Sequence, residues 1–252
     1  SALLAIGIAA VILLAAYYSL TFGKNTFSTP NWSFILRYDL ADLFVKLLPG
    51  TYDTVRPAGL PFIYCGILTL LMIPFYFLSK NISVREKLFS VFFVAVFVLS
   101  FIISPVDIVW HGFQKPNWLN YRYSFLLSFF LLTLAYKATA EFRKQKAHIL
   151  FLVGSALAVI VMILQKFKFP NFVLDGEYGF VEGRIDPLRT VLFSLVMIVL
   201  LCAVLYLLLR ANEPKARQNL SRILLIVVCV ELFGNGIIHM TSLDCDVVYS
   251  SY

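Results

Sequence analysis

The chain has 252 residues, of which 60% are hydrophobic and 14% are charged, and its formal net charge is +7. This composition excludes a soluble domain of this size and is typical of a protein that crosses a membrane several times. The basic residues are spread over polar loops and do not cluster on one face, so they do not indicate nucleic acid as a partner. The expected partner is the lipid bilayer.

Seven apolar segments are long enough, or nearly long enough, to span a bilayer, for which about 20 residues are needed. Because backbone polar groups in lipid must be satisfied within the protein, each segment is predicted to be a helix. The predicted fold class is therefore an all-α polytopic membrane protein, in which residues 1–252 form a single transmembrane bundle. The segments lie at 2–20, 60–79, 87–104, 121–139, 147–165, 188–209 and 220–240.

The charges of the loops predict the orientation. Eleven of the 21 Lys and Arg residues lie in or beside the short loops that follow the second, fourth and sixth segments. Short basic loops face the cytoplasm. We therefore expect the N-terminus of the chain inside and the C-terminus outside. Because the chain opens on an apolar run without a basic signal region, we also expect it to be an internal fragment of a longer protein.

The first external loop, at 21–59, contains an amphipathic pattern. Residues 35–48 place four leucines on one helical face and their charged residues elsewhere, which predicts a helix lying on the outer membrane surface. Pro49 and Gly50 end this helix. The leucines are Leu36, Leu40, Leu43 and Leu47.

A turn-rich stretch follows, in which Asp53 and Arg56 are three residues apart. One interpretation is an ion pair that fixes the loop. The other is that Tyr52, Asp53 and Arg56 form a polar wall for a lipid headgroup, with Arg56 offering two parallel hydrogen bonds to a phosphate.

A polar and aromatic collar at 110–124, WHGFQKPNWLNYRYS, separates two apolar runs. Trp110 and Trp118 are either membrane-interface anchors or platforms for a sugar. His111 is either a solvated side chain or a general base. Arg122 either reaches lipid headgroups or binds a phosphate at the start of the next helix. The candidate substrate contacts of the collar are Trp110, His111, Lys115, Trp118, Tyr121 and Arg122.

Glu231 lies near the middle of the seventh apolar segment, and Asn235 follows one turn later on the same face. A charge at the centre of a membrane helix costs about 3 kcal/mol, so Glu231 is expected to face the interior of the bundle. Its role is either a buried hydrogen bond between helices or a part of the substrate path.

The chain contains no motif of a soluble enzyme: no GxSxG, no P-loop and no HExxH. The four cysteines form no CxxC pair and no cluster with histidine. We therefore expect neither a metal site nor a bound cofactor.

Three stretches resemble the bacterial YfhO membrane-protein family. They are LLPGTYDTVRPAGLPFIYCG, WHGFQKPNWLNYRYSFLLSFFLLTLAYKA and the segment that carries Glu231 and Asn235. The resemblance covers nearly the whole chain. It implies a multi-pass protein of the bacterial cytoplasmic membrane with a GT-C-like glycosyltransferase architecture. It also implies a sugar donor carried on polyprenyl phosphate and an acceptor such as lipoteichoic acid or another cell-envelope polymer.

Members of this family are longer than the present chain, and the catalytic acid of GT-C enzymes lies in an early external loop. The resemblance therefore assigns no catalytic residue here, and the fragment alone is expected to be inactive. The expected function is that of a glycosyltransferase segment that binds the lipid-linked donor at the outer leaflet. Two alternatives remain open, a transporter or flippase of lipid-linked sugars and a non-catalytic membrane scaffold.

Overall fold

The computed structural model of the chain describes residues 32–51, 59–113, 121–167 and 187–242, together with helical residues between 7 and 18. In this part of the chain the regular secondary structure is helical, with one isolated bridge between Leu36 and Ile103. The helices are α1 (Leu40–Val45), α2 (Ile67–Leu78), α3 (Val84–Ile102), α4 (Ser104–Trp110), α5 (Ser124–Phe142), α6 (Ala147–Phe167), α7 (Pro187–Arg210) and α8 (Pro214–Ser242).

Four of these helices are long and apolar enough to cross a membrane: α5, α6, residues Thr190–Arg210 of α7 and residues Pro214–Met240 of α8. The prediction of an all-α, multi-pass membrane protein is thereby confirmed, whereas the count of seven spans is not. The predicted segment 2–20 lies largely outside the described residues.

Two other predicted spans fall short for different physical reasons. Residues 59–66 are not helical, so α2 has only 12 residues. At 1.5 Å per residue its length is about 18 Å, against the roughly 30 Å of a hydrocarbon core. α3 has 19 residues, but its first turn contains Arg85, Glu86 and Lys87, which shortens its apolar part.

The helices pack in two groups that share α2. α2 packs chiefly against α5, while α6, α7 and α8 pack against one another in chain order. Ile67, Leu71 and Phe75 of α2 are fully buried in the core, where they meet Leu134 and Ala138 of α5. α2 is therefore a central helix even though it is short.

A glycine brings α6 and α7 close together. A Cβ atom at Gly154 would lie 2.6 Å from the Sγ atom of Cys202. In lipid the hydrophobic effect does not bring helices together. Helices associate there largely through van der Waals packing, which is closest where small residues let the backbones approach. Gly154 provides that approach here.

The amphipathic helix predicted over 35–48 is shorter in the structure, where α1 comprises Leu40–Val45. Asp39 caps it, because its side chain accepts the backbone N–H groups of Ala41 and Asp42, and the Asp42 carboxylate accepts the N–H of Asp39 in return. This capping box fixes the start of the helix.

The residues before Asp39 are extended because they pair with another part of the chain. The backbone N–H of Arg37 donates to the carbonyl of Ile102 over 3.0 Å, and the N–H of Ser104 donates to the carbonyl of Ile35 over 3.1 Å. These bonds lie at the junction of α3 and α4. They attach the first loop to the bundle. Because the N–H of Arg37 and the carbonyl of Ile35 already have partners, they are not available for hydrogen bonds within a helix.

The two ends of the bundle differ in chemistry. At the end that we call the basic end, the loops at 79–83, 143–146 and 211–213 come together. There the Nζ atom of Lys137 lies 2.6 Å from Oε1 of Glu86, and the Asn81 amide donates to Glu141. At the opposite end, called the collar end, the Oγ atom of Ser124 donates to the carbonyl of Phe62 over 3.0 Å. The collar end holds residues 59–66, 110–113 and 121–124.

Candidate functional site

The described part of the collar consists of two turns that flank α4 and α5. α4 ends at Trp110, and Gly112 and Phe113 continue the chain with φ values of 64°. Tyr121 has a φ of 54° immediately before α5. Left-handed backbone at Phe113 and Tyr121 is costly for bulky side chains and persists only where surrounding contacts enforce it. Five predicted site residues lie outside the described residues: Tyr52, Asp53, Arg56, Lys115 and Trp118.

A buried carboxylate, Asp107, lies at the centre of the collar end. It is fully buried. Its Oδ2 atom lies 2.8 Å from Nη1 of Arg37, and its Oδ1 atom accepts the hydroxyl of Tyr123 over 2.9 Å. The same hydroxyl lies 2.9 Å from the carbonyl of Ser100. Buried charge is stable only when it is paired and hydrogen-bonded, and both conditions hold for Asp107.

Arg37 joins three elements of the collar end. Besides Asp107, its guanidinium donates to the hydroxyl of Tyr121 over 2.8 Å and to the Oγ atom of Ser104 over 3.3 Å. Burial alone lowers the pKa of an arginine, but the neighbouring Tyr121 and Asp107 raise it, so that the pKa of Arg37 lies above its ordinary value. Burial also raises the pKa of Tyr38, whose ring meets that of Tyr121 edge-on, well above its ordinary value.

His111 lies one helical turn after Asp107, with a side chain that is 9% exposed. Its Nε2 atom is 3.3 Å from Oδ1 of Asp107. This contact is not a hydrogen bond, and Nε2 has no hydrogen-bond partner among the described residues. An imidazole beside a carboxylate is the arrangement of a general base and the group that orients it.

The aromatic rings of the collar form a stacked wall beside Asp107. The ring of Trp110 stacks on Tyr123 with centroids 4.7 Å apart, and Tyr123 stacks on Phe101 at 5.4 Å. The indole N–H of Trp110 donates to the Oγ atom of Ser100 over 3.0 Å. Trp110 is still 42% exposed, whereas Tyr121 is only 2% exposed. Of these two predicted residues, Trp110 therefore offers surface to a ligand and Tyr121 supports Arg37.

Arg122 lies on the rim of this cluster. It is exposed, in the turn before α5, whose first helical residue is Ser124. The residue at the N-cap of α5, Tyr123, makes no side-chain cap to the helix. The N–H groups of Ser124 and Leu126 donate to the carbonyls of Tyr121 and Tyr123, so the helix dipole, more than open N–H groups, favours an anion beside Arg122.

Glu231 belongs to a second group of polar residues, in which it caps a neighbouring helix. It is fully buried. Its Oε1 atom accepts the hydroxyl of Tyr64 over 2.5 Å and the backbone N–H of Ile67 over 2.7 Å. Ile67 is the first residue of α2, and the preceding Gly66 has a φ of 89°, which glycine tolerates best. A carboxylate at a helix N-terminus satisfies unpaired N–H groups and the helix dipole together.

The same face of α8 also holds the loop at 46–51. The side-chain oxygen of Asn235 accepts the N–H of Gly50 over 2.6 Å. Nearby, Lys46 is buried, with its Nζ atom donating to the carbonyl of Thr51 and lying 4.9 Å from the ring centre of Phe62. The amphipathic pattern had assigned Lys46 to the polar face of a surface helix. Its burial shows that the loop packs into the bundle.

We call the buried carboxylate and the side chains around it, Arg37, His111, Tyr121 and Tyr123, the Asp107 cluster. An apolar cavity of about 420 Å³ lies beneath this cluster. Residues of α1, α2, α3, α5 and α6 line it, among them Leu43, Val98 and Leu127. Leu43 and Leu127 also pack in the same buried cluster as Tyr121 and Tyr123. The cavity and the Asp107 cluster are therefore contiguous, the first apolar and the second charged.

Three of the predicted residues, Trp110, His111 and Tyr121, come together around Asp107, while Glu231 and Asn235 form the separate group on α8. Sequence reasoning missed Asp107, Arg37 and Lys46 as site residues. The spacing of Asp107 and His111, four residues apart in an apolar setting, was the available signal for Asp107. Among the described residues, no group of three or more His, Cys, Asp or Glu side chains is placed to hold a metal ion.

A family model described as Bacterial membrane protein YfhO matches residues 1–251, and therefore includes both polar groups. No curated protein and no solved structure matches the chain.

Proposed function

The chain belongs to the family of the bacterial membrane protein YfhO, and from this premise we propose that it is part of a membrane glycosyltransferase with a GT-C-like architecture. It binds a polyprenyl-phosphate-linked sugar at the outer leaflet. The sugar passes to a cell-envelope polymer such as lipoteichoic acid. No nucleic acid takes part.

The observation that carries this proposal is the apolar cavity directly beneath the Asp107 cluster. A lipid-linked sugar has three chemically distinct parts, and the collar end offers a surface for each. The cavity accepts the isoprenoid chain, and the exposed ring of Trp110 offers a stacking face to the sugar. Arg122 and the uncapped N-terminus of α5 attract the phosphate.

Sugar transfer from such a donor requires little covalent chemistry from the protein. The phosphate is already a leaving group, so the protein has to position the acceptor, remove the proton of its hydroxyl and stabilise the departing phosphate. His111, whose Nε2 atom lies 3.3 Å from the Asp107 carboxylate, is the described residue that we assign to the proton transfer. Arg122 supplies positive charge for the phosphate. The residues at 52–56 belong to the proposed site through Arg56, a second candidate for the phosphate.

Filling the cavity tests the proposal. Ala156 lines the cavity from α6 and is exposed toward its open side, so Ala156→Trp adds bulk there without displacing a core residue. We expect this variant to lose binding of a polyprenyl-phosphate sugar and to lower glycosylation of the polymer in cells. The matched control is Val159→Trp, which is exposed on the same helix outside the cavity. Equal activity of the two variants would contradict the proposal.

Arg122 provides an independent test. Arg122→Lys keeps the charge but loses the planar fork that binds phosphate through two hydrogen bonds. If Arg122 only reaches lipid headgroups, Arg122→Lys should glycosylate normally. We expect both Arg122→Lys and Arg122→Ala to impair glycosylation at normal protein levels. Normal glycosylation by Arg122→Ala would refute a phosphate site at this residue.

A flippase is the second candidate, and one observation favours it. Transporters bind substrates where membrane helices are interrupted. Here the non-helical segment 59–66 precedes α2, and the N-terminus of α2 contacts the buried Glu231. A fluorescent lipid-linked sugar in reconstituted vesicles separates the two functions. Transfer of the label between leaflets by the wild-type protein, without product formation, would favour the flippase.

A further inference from the structure

A second cavity, of about 280 Å³, opens at the basic end among α2, α5, α7 and α8. Its inner wall is apolar and includes Met72 and Leu205, which are 1% and 3% exposed. Two arginines belong to its lining, Arg143 after the end of α5 and Arg217 in the first turns of α8. Two hydroxyl side chains, Thr139 and Ser221, complete its polar part.

The positive charge of this cavity is not balanced by protein carboxylates. No acidic residue belongs to its lining. Of the acids at this end, Glu86 pairs with Lys137 and Glu141 pairs with Lys144. Glu213, four residues before Arg217, does not line the cavity. Arg217 donates through Nε to the carbonyl of Ala211 over 3.0 Å, and this bond leaves the two terminal nitrogens of its guanidinium for a ligand. Within the described part of the chain, neither arginine pairs with an acidic side chain.

We propose that this cavity binds the headgroup phosphate of an anionic phospholipid from the leaflet at the basic end. Guanidinium groups match phosphate oxygens in charge and geometry, and basic pockets between membrane helices are suited to anionic headgroups. Arg143 and Arg217 hold the phosphate, and the Ser221 hydroxyl donates to it. The first methylenes of one acyl chain contact Met72 and Leu205.

The volume of the cavity fits the headgroup and the first part of one acyl chain, but not a whole lipid. Ligand pockets for whole small molecules start at roughly 300 Å³. A cavity of about 280 Å³ therefore takes a headgroup and the beginning of a chain, while the rest of the lipid stays in the bilayer. The first turn of α8 adds to the site, because the N-terminus of this 29-residue helix favours a negative charge.

The bound lipid would also hold the basic end together. Its phosphate bridges the end of α5 to the start of α8, although these two helices belong to different packing groups. This role is separate from the sugar site at the collar end and does not depend on the proposed function.

Retention of lipid during native mass spectrometry tests the proposal. The purified protein is offered equal amounts of phosphatidylglycerol and phosphatidylcholine in detergent. We expect the wild type to retain phosphatidylglycerol selectively. Each of Arg143→Gln and Arg217→Gln should lower the retained fraction by about tenfold or more, because a hydrogen bond to a charged group contributes about 1.5–3 kcal/mol.

Arg222→Gln is the matched control, because it removes the same charge from α8 at an exposed residue that does not line the cavity. Circular dichroism in detergent checks that each variant keeps its helices. Equal loss in Arg222→Gln would mean that surface charge alone attracts the lipid, and the proposal would then be wrong. It would also be wrong if soluble glycerol phosphate displaced the lipid at similar concentration, because the site would then be one for free phosphate.

Discussion

The buried carboxylate of Asp107 determines which side chains must surround it. Moving an unpaired carboxylate out of water costs several kcal/mol, which the Arg37 guanidinium and the Tyr123 hydroxyl offset through short contacts. Such a pair adds little net stability compared with apolar residues, but losing one partner is costly because the other remains buried. Asp107 therefore fixes the first loop, α4 and the turn before α5 in one arrangement.

Replacing Arg37 should show that the loss of one partner costs more than the intact pair contributes. We expect Arg37→Gln to lower the free energy of unfolding by about 2–3 kcal/mol, somewhat less than the roughly 3–5 kcal/mol for a fully buried pair, because the Arg37 side chain is 26% exposed. The additional change Asp107→Asn should restore part of the loss, since the unpaired charge is then absent. Thermal unfolding of the purified protein in detergent measures both effects.

The exposed pair of Lys137 and Glu86 is the control for this experiment. Their side chains are 51% and 39% exposed, so Lys137→Gln should destabilise the protein far less than Arg37→Gln does. If Arg37→Gln and Lys137→Gln were equally stable, or if the double variant were less stable than Arg37→Gln alone, the buried-pair account would fail.

The sequence identified the aromatic members of this cluster but not its charges. Trp110 and Tyr121 belong to a local pattern that predicts a membrane interface. Arg37 and Asp107 are 70 residues apart, and their contact depends on the backbone pairing of residues 35–37 with residues 102–104. No local spacing records such a contact, so it could not be predicted from one sequence.

Among the elements, α2 shows most clearly how a polar side chain shapes an apolar helix. A hydrophobic run predicted a span at 60–79, yet the helix starts only at Ile67. Glu231 stabilises a helix start at Ile67, because its carboxyl group accepts both the N–H of Ile67 and the hydroxyl of Tyr64. The gain of two hydrogen bonds to the buried Glu231 carboxyl group offsets the loss of the first helical turns.

Substitution of Glu231 should therefore act on the start of α2. We expect Glu231→Ala to lower the free energy of unfolding by about 2–4 kcal/mol, since it leaves the buried N–H of Ile67 and the partly buried hydroxyl of Tyr64 without an acceptor. Glu231→Gln keeps one acceptor oxygen and should cost less. Thermal unfolding gives the stability, and proteolysis at 59–66 reports whether that segment loosens. Cys229→Ala, at an exposed residue of the same helix, should change neither measurement. Equal stability of the alanine and glutamine variants would argue against the cap.

The sequence predicts the membrane-spanning helices better than it predicts α1. The helices α5, α6, α7 and α8 follow from long apolar runs, since lipid leaves a helix as the only satisfied backbone conformation. α1 is shorter than its leucine pattern predicted, because the Asp39 cap and the backbone pairing of residues 35–37 are stronger constraints than periodicity. The pattern described which residues are apolar but not which backbone groups already had partners.

On the scale of the whole molecule, the two ends of the bundle are suited to different anions. The collar end combines an apolar cavity with an exposed indole and an exposed arginine, as a lipid-linked sugar requires. The basic end combines a smaller cavity with two arginines, as an anionic phospholipid requires. Both assignments depend on which side of the membrane each end faces, and the loop charges predict that the basic end faces the cytoplasm.

Labelling of cysteines in intact cells tests this orientation. A membrane-impermeant thiol reagent should label Cys245, which follows α8 and is predicted to lie outside. In a Cys245→Ser background, Gln145→Cys and Lys215→Cys place single thiols at the basic end, and they should react only after the membrane is permeabilised. The remaining cysteines give a low background, because Cys65 and Cys202 are buried and Cys229 is exposed on a membrane-spanning helix. Labelling of Gln145→Cys and Lys215→Cys in intact cells, with Cys245 protected, would reverse the orientation. The sugar site would then face the cytoplasm, where it has no access to a polymer outside the cell.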